Sequence, residues 1–319
     1  MGTDGIREKY INPYTDFGFK KLFGTAMNKE LLISFLNALL YDREVICDVT
    51  YLNTEHLGTQ EYDRRAIFDV YCVNEKGERF LVEMQKGEQN FFKDRSVYYS
   101  TFPIREQAPR GQWDYELKAV YVVGILNFVF DDTDDDYFHH EVKLTDLRTR
   151  EVFYDKLSFF YLEMPKFNKT ENELVTMFDK WLFVLRNLAY LMERPRALQE
   201  RVFTSLFEAA EIAKFSRREL CQYEESLKNF RDMYSVITTA EGKGLARGLE
   251  EGLKKGLKKG LEEGLKKGLK EGLAKGREEG LQKAREQMMV SARNLKSLGV
   301  AKEIIVQATG LSPDEIERL

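Results

Sequence analysis

The sequence predicts an α/β fold followed by an all-helical region and an extended repeat helix. Three observations carry that prediction. Short β-branched or aromatic runs alternate with apolar residues at helical spacing up to residue 165; after Pro165 only the helical spacing remains; and across residues 244–280 a glycine recurs at every fourth position.

The elements follow in order. Residues 29–40 (KELLISFLNALL) place apolar side chains on one helical face. Residues 45–51, 66–73, 80–85, 119–129 and 157–162 are strand-like runs, and 90–107 reads as a helix interrupted near Pro103. The order is α, β, β, β, α, β, with more strand to follow. Beyond Pro165, Leu174, Met177, Phe178, Trp181, Leu182, Leu185 and Leu188 share a face. Ser216 and Glu219 form a capping box for a helix that turns Leu220, Tyr223, Leu227 and Phe230 inward. The expected domains are 1–165 as core, 166–240 as helices packed on it, 241–287 as the repeat, and 288–319 as a small helical tail.

The repeat unit is Gly-Leu followed by two mostly charged residues, and it holds ten of the chain's 22 glycines. A four-residue period advances 400° per unit, so the stripe drifts about 40° per repeat around a straight helix and a partner following it must wrap with a right-handed sense. Each glycine costs roughly 1 kcal/mol relative to alanine in a helix interior. The segment is read either as a self-association rod, making the protein a homo-oligomer, or as a spacer. Residues 241–287 carry 13 Lys or Arg against 9 Asp or Glu, a net +4 that is too balanced to argue for DNA binding by itself. The tail reads as three short helices, with Ser312 as an N-cap and Pro313 at the first helical position. Its spacing is like a helix-turn-helix, but the last helix is acidic, which suits protein contact better than a major groove.

Composition limits the chemistry. The 319 residues include 49 Lys or Arg and 53 Asp or Glu, for a net charge of −4, with only 3 His and 3 Cys. Cys47, Cys72 and Cys221 are too far apart in sequence for a CxxC thiolate site, and His56, His139 and His140 do not suggest a His-rich metal site or a Ser-His-Asp relay. An enzyme with this composition works with carboxylates. The N-terminus lacks an apolar signal region and the longest apolar run, 119–130, is too short to span a bilayer, so no membrane association and a cytoplasmic, reducing location are expected.

The carboxylates converge in AIFDVYCVNEKGERFLVEMQ, residues 66–85. Two strand-like runs flank Glu75-Lys76-Gly77, a loop suited to a hairpin with Gly77 in the left-handed position. That loop pairs Asn74 with Glu78 and places Asp69 directly across from Glu83, while Phe68, Val70, Cys72, Phe80, Val82 and Met84 share the opposite face. Two facing carboxylates repel, and a divalent oxygen-seeking cation such as Mg²⁺ relieves the repulsion. Gln85 points to the same face as Glu83 and its amide can orient a water. The plainer alternative is an ordinary hairpin with solvent-facing acids. The acidic run 131–136 lacks the ligand spacing of a calcium loop and reads as a solvated loop.

Asp followed by a hairpin and Glu-x-Gln resembles the PD-(D/E)XK nuclease core. TDFGFKKLFG near residue 15, LISFLNALL near residue 32, IFDVYC, GERFLVEMQ and FKDRSVYY at 92–99 together resemble the Rpn group, the recombination-promoting nucleases also labelled transposases. The resemblance covers roughly residues 10–165 motif by motif. It implies a restriction-endonuclease-like mixed sheet flanked by helices, and a Mg²⁺- or Mn²⁺-dependent endonuclease that hydrolyses DNA phosphodiesters in recombination or mobile-element transfer. Asp69 and Glu83 are carried over as metal ligands, with Gln85 where the wider superfamily has its active-site lysine. Asp16 is a further candidate for metal contact, or a helix cap. Arg95 and Tyr99 are candidates for substrate phosphate, or a surface ion pair and a core ring. The alternative function is a nuclease fold that no longer cleaves and serves as a nucleic-acid-binding or oligomeric scaffold.

Overall fold

The computed structural model describes residues 8–41, 43, 45–56, 66–108, 111, 113–130 and 136–319. Of the acidic run read as a solvated loop, residues 131–135 lie outside the described residues, as do residues 1–7 of the N-terminal segment. Residues 1–238 form one compact unit and residues 239–319 a second.

The first unit is built on a six-stranded mixed sheet. In chain order its elements are α1 (Asp16–Phe23), α2 (Lys29–Leu39), β1 (Val49–Tyr51), β2 (Glu55–His56), β3 (Ala66–Ile67), β4 (Val70–Asn74), β5 (Arg79–Gln85), α3 (Phe92–Arg105), β6 (Val120–Leu126), β7 (His139–Thr145), β8 (Val152–Glu163), α4 (Met177–Asn187), α5 (Arg201–Ala210) and the start of α6 (Arg217–Ser297). The sheet order is β1-β4-β5-β6-β8-β7, while β2 and β3 pair separately. The central strands β5, β6 and β8 are parallel and the outer pairings antiparallel. The expected α/β core with a mixed sheet and flanking helices is what the chain forms.

Strand alternation sorts the core into two layers. Val70, Cys72, Phe80, Val82, Met84, Val123, Ile125, Phe160 and Leu162 face a layer that includes α1, α2, α4 and α5. Tyr71, Leu81, Val120, Val122, Phe159 and Tyr161 face the other way, toward Phe92 and Phe102 of α3. Trp181 is fully buried among Phe23, Phe35 and Phe203, and its indole N–H donates to Ser34 Oγ at 3.1 Å.

The hairpin forms as the spacing predicts. Val70, Tyr71, Cys72 and Val73 stand opposite Val82, Leu81, Phe80 and Arg79, and Gly77 takes φ +83° in the loop. Phe68 departs from the expectation. The run 66–73 bends at Asp69 into two short strands, so Phe68 packs with Tyr71, Tyr99 and Phe102 on the α3 face instead of with Val70 and Cys72.

Other differences also have local causes. The strand expected over 45–51 is confined to Val49–Tyr51, because side chains take the backbone groups before it. Asn37 accepts from Ile46 N–H and donates to its carbonyl, and the Glu75 carboxylate accepts from the N–H groups of Cys47 and Asp48. Helix α3 continues through Pro103, which lies in its last turn, where few later backbone bonds depend on it. Strand β7, with weak alternation in HHEVKLT, emerges only through pairing with β8.

Helix α4 begins at a Thr176–Asp179 capping box, and Ser216 with Glu219 caps α6 as expected. The opening turns of α6 fasten α1: Ser226 Oγ accepts from Phe17 N–H at 3.1 Å, Tyr223 Oη accepts from Asn12 N–H at 3.0 Å, and Lys21 pairs with Glu219.

In the second unit, α6 carries the whole repeat as helix, with its leucines from Leu245 to Leu281 between 65% and 77% exposed. Two tail helices follow, α7 (Lys302–Thr309) and α8 (Pro313–Arg318). The first of the three expected short helices is instead the end of α6, where Ala292 packs with Ile305, Leu311 and Ile316. Ser312 caps α8 with Pro313 at its start.

Candidate active site

Asp69 and Glu83 meet at the mouth of the β4–β5 hairpin, where two hydrogen bonds tie Asp69 to Glu83 and to its neighbour Met84. The Asp69 backbone N–H donates to Glu83 Oε1 at 3.3 Å, and Asp69 Oδ2 accepts from the Met84 N–H at 2.8 Å. Glu83 is 6% exposed and Gln85 5% exposed, and Gln85 Nε2 donates to Glu83 Oε2 at 3.0 Å. Gln85 therefore holds the carboxylate in place. Alternation aims Glu83 and Gln85 at the α3 face and leaves Phe80, Val82 and Met84 in the other core layer.

Burial penalises both charges. It is the main cause raising the Glu83 carboxyl to about 8, with the neighbouring Asp69 charge pushing the same way; the Arg95 guanidinium is the largest opposing influence. Asp69 is also raised, first by burial and then by the Asp16 charge, against the Met84 N–H and the charges of Lys20 and Lys86. Such a pair resists full ionisation unless a cation joins it.

The other predicted residues are distributed around this pair. Arg95 Nη2 lies 3.8 Å from Glu83 Oε2, with its guanidinium carbon 4.8 Å from the Tyr99 ring centroid. Tyr99 is half-buried and meets Phe68 edge-on at 5.0 Å, so it serves the core as well as the site. Asp16 is not the cap of α1; Thr15 is, accepting from Gly18 N–H at 3.0 Å because its hydroxyl is one residue further out. Asp16 instead pairs with Lys86, Nζ to Oδ1 2.6 Å. On β6, Gly124 stands beside Glu83, and a Cβ there would come within 3.1 Å of Tyr161 and 3.4 Å of Phe92. The absent side chain lets the Tyr161 and Phe92 rings close over the strand beside the carboxylate.

Lys20 was not singled out by its sequence, yet its charge favours the ionised form of both acids. The available signal was its spacing, four residues after Asp16 and hence on the same helix face. A cleft of about 1110 Å³ lies elsewhere, lined by Ile33, His139, Phe160 and Phe178 on the opposite core layer. Its size carries less weight than the paired acids, which are a recognisable chemical arrangement.

Residues 13–240 match a family model described as PD-(D/E)XK nuclease family transposase. The chain belongs to this family. Neither the curated proteins nor the solved structures searched gave a match. Membership in the PD-(D/E)XK transposase family agrees with the mixed sheet flanked by helices, and with the resemblance carried by the sequence motifs.

The residues present fit a divalent ion of the kind this family's nucleases generally use. Among the described residues no group of three or more His, Cys, Asp or Glu side chains is arranged around a metal position. A buried and a half-buried carboxylate, both with raised pKa values, and an adjacent amide do suit Mg²⁺, which commonly takes one or two carboxylates and completes its shell with water and substrate phosphate.

Proposed function

We propose that the protein is a metal-dependent DNA endonuclease that hydrolyses phosphodiester bonds, acting in recombination or mobile-element transfer. The observation that carries this reading is the opposition of half-buried Asp69 and buried Glu83 in a chain of the PD-(D/E)XK transposase family. Mg²⁺ or Mn²⁺ would be held by Asp69 and Glu83. A bound divalent ion supplies Lewis acidity toward the phosphodiester and makes an attacking water available at neutral pH.

The chain's own residues supply position and exclusion. Gln85 fixes the rotamer of Glu83 through its Nε2 hydrogen bond, and the crossed backbone bonds hold the two carboxylates at one level of the hairpin. Tyr99 and Phe92 beside Glu83 keep bulk water from its inner side. Arg95 offers a guanidinium for a non-bridging phosphate oxygen. In the reaction a water oxygen bonds to phosphorus and releases one proton to solvent, one P–O ester bond breaks, and the leaving alkoxide takes up a proton from solvent.

A second reading has its own observation. Gln85 is neutral and engaged with Glu83, which favours a nuclease fold that binds nucleic acid without cutting it. The homo-oligomer expected through the repeat fits either reading, because the exposed leucines of α6 offer an apolar stripe to a second copy. No helix among the described residues is long and apolar enough to cross a membrane.

Incubating the full chain with supercoiled plasmid and Mg²⁺, with an EDTA control, tests the reading. The parent should nick or linearise the plasmid, and Asp69→Ala and Glu83→Ala should each lose activity by about 10²-fold or more, the scale at which removing one group that stabilises developing charge is felt. Cleavage by both variants at the parental rate refutes the assignment. Mg²⁺-independent DNA binding without cleavage by the parent favours the scaffold.

A further inference from the structure

Helix α3 turns two aromatic side chains to solvent beside the acid pair. Phe91, the residue before its first turn, is 79% exposed, and Tyr98 is 44% exposed. Arg95 lies between them, and the spacing 91, 95, 98 puts all three on one helical face. Arg95 ties that face to the site. Its backbone N–H donates to the Phe91 carbonyl at 2.9 Å, its Nη1 donates to Gln89 Oε1 at 2.5 Å, and its Nη2 stands 3.8 Å from Glu83 Oε2. Phe91 and Tyr98 therefore sit one turn to either side of the guanidinium that faces the carboxylate.

Phe91 is held there against its own backbone preference. It is left-handed, at φ +63° and ψ +31°, a region where a bulky side chain is an outlier. Its neighbour imposes the turn. Phe92 is buried against Phe128 and Tyr161, at 5.8 and 5.9 Å between ring centroids, and its N–H donates to the Gln89 carbonyl, so seating Phe92 leaves Phe91 outside. Glycine would take this position without strain, but it would bring no ring. Tyr98 is braced from behind, meeting buried Phe102 edge-on at 5.2 Å.

We propose that Phe91 and Tyr98 stack on unpaired bases of single-stranded DNA running past Asp69 and Glu83, with Arg95 on the phosphate between them. The inference rests on the nuclease reading above and names the substrate class of that site. Base faces are covered in a duplex and open in a single strand, so exposed rings have bases to stack on only in the second. The chain carries a net charge of −4 and the site adds two acids, so attraction to phosphate alone holds a duplex weakly. Stacking contributes affinity that does not depend on charge. One cation between two rings also matches the order of one phosphate between two bases.

The test uses the full chain as parent, Phe91→Leu, Phe91→Trp, Phe91→Gly and Tyr98→Leu. Affinity for a short labelled thymidine oligonucleotide, and for a blunt duplex of the same length, is measured by fluorescence anisotropy in EDTA across a KCl series. Cleavage of single-stranded circular DNA and of plasmid is measured separately with Mg²⁺. The parent should bind the single strand more tightly than the duplex. Phe91→Leu and Tyr98→Leu should each weaken single-strand binding by about 10-fold, keep the parental slope of log affinity against log salt, and change duplex binding by less than about 2-fold. Phe91→Trp should bind as the parent does. Phe91→Gly should lose binding as Phe91→Leu does without lowering the melting temperature, because the strain leaves with the ring. Parental single-strand affinity in both leucine variants overturns the proposal whether or not the parent cuts, as does an equal loss on duplex or a parent that binds duplex at least as tightly as single strand. A parent that prefers single strands through these rings yet cuts neither DNA refutes the nuclease reading alone. A parent that binds neither DNA overturns the proposal, and one that also cuts neither overturns both.

Discussion

Replacing Glu83 by Gln should stabilise the protein in EDTA. The group is 6% exposed and its carboxyl is raised from 4.5 to about 8, so the folded state binds a proton that the unfolded chain gives up near pH 4.5. Stability from this group is therefore fully present below about pH 4.5 and declines as pH rises toward 8. At roughly 1.4 kcal/mol per pKa unit, the loss is about 3 kcal/mol at pH 7 and levels off near 5 kcal/mol above pH 8. Glutamine keeps the shape and remains neutral, and a flip of the Gln85 amide lets the two side chains stay hydrogen-bonded. For a unit of 238 residues this corresponds to a gain in melting temperature of about 5–10 °C at pH 7, and little gain at pH 4.5. Thermal melts monitored by circular dichroism in EDTA, at pH 4.5, 7 and 8.5, give the comparison. Equal melting temperatures for Glu83→Gln and parent at all three values would refute the claim that burial and the Asp69 charge destabilise ionised Glu83.

The remaining expectations are shorter. Arg95→Met removes the largest charge opposing the shift at Glu83, so its carboxyl should titrate higher still, read from side-chain carboxyl NMR shifts in metal-free protein. Ser216→Ala breaks the capping box at the start of α6 and should lower stability by about 1 kcal/mol in urea melts. Deleting residues 244–280 should leave residues 1–238 folded by circular dichroism and lower the mass measured by light scattering; an unchanged mass makes the repeat a spacer.

Much of this site was legible because a hairpin obeys local rules. Gly77 after two polar residues fixes the turn, the turn sets the register, and the register sets Asp69 against Glu83. What escaped depended on contacts distant in sequence. The bend that moves Phe68 to the α3 face is stabilised by Tyr99 and Phe102, some 30 residues on, and nothing in IFDVYC marks it. The Asn37 amide and Glu75 carboxylate that shorten β1 reach it from a helix and a turn. FKKLF alone does not distinguish Lys20 from Lys21, and only the docking of α1 gives the two lysines different surroundings.

The hairpin also has a kinetic consequence. Asp69 and Glu83 are 14 residues apart, and their strands close through a turn on a timescale of about 1–10 μs, whereas β5, β6 and β8 must wait for long crossovers to be placed. The acid pair is thus assembled early, before the surrounding layers bury it. A chain emerging from the ribosome therefore brings the two acids together while both are still hydrated, and the cost of desolvating them falls later, when the layers close over the hairpin.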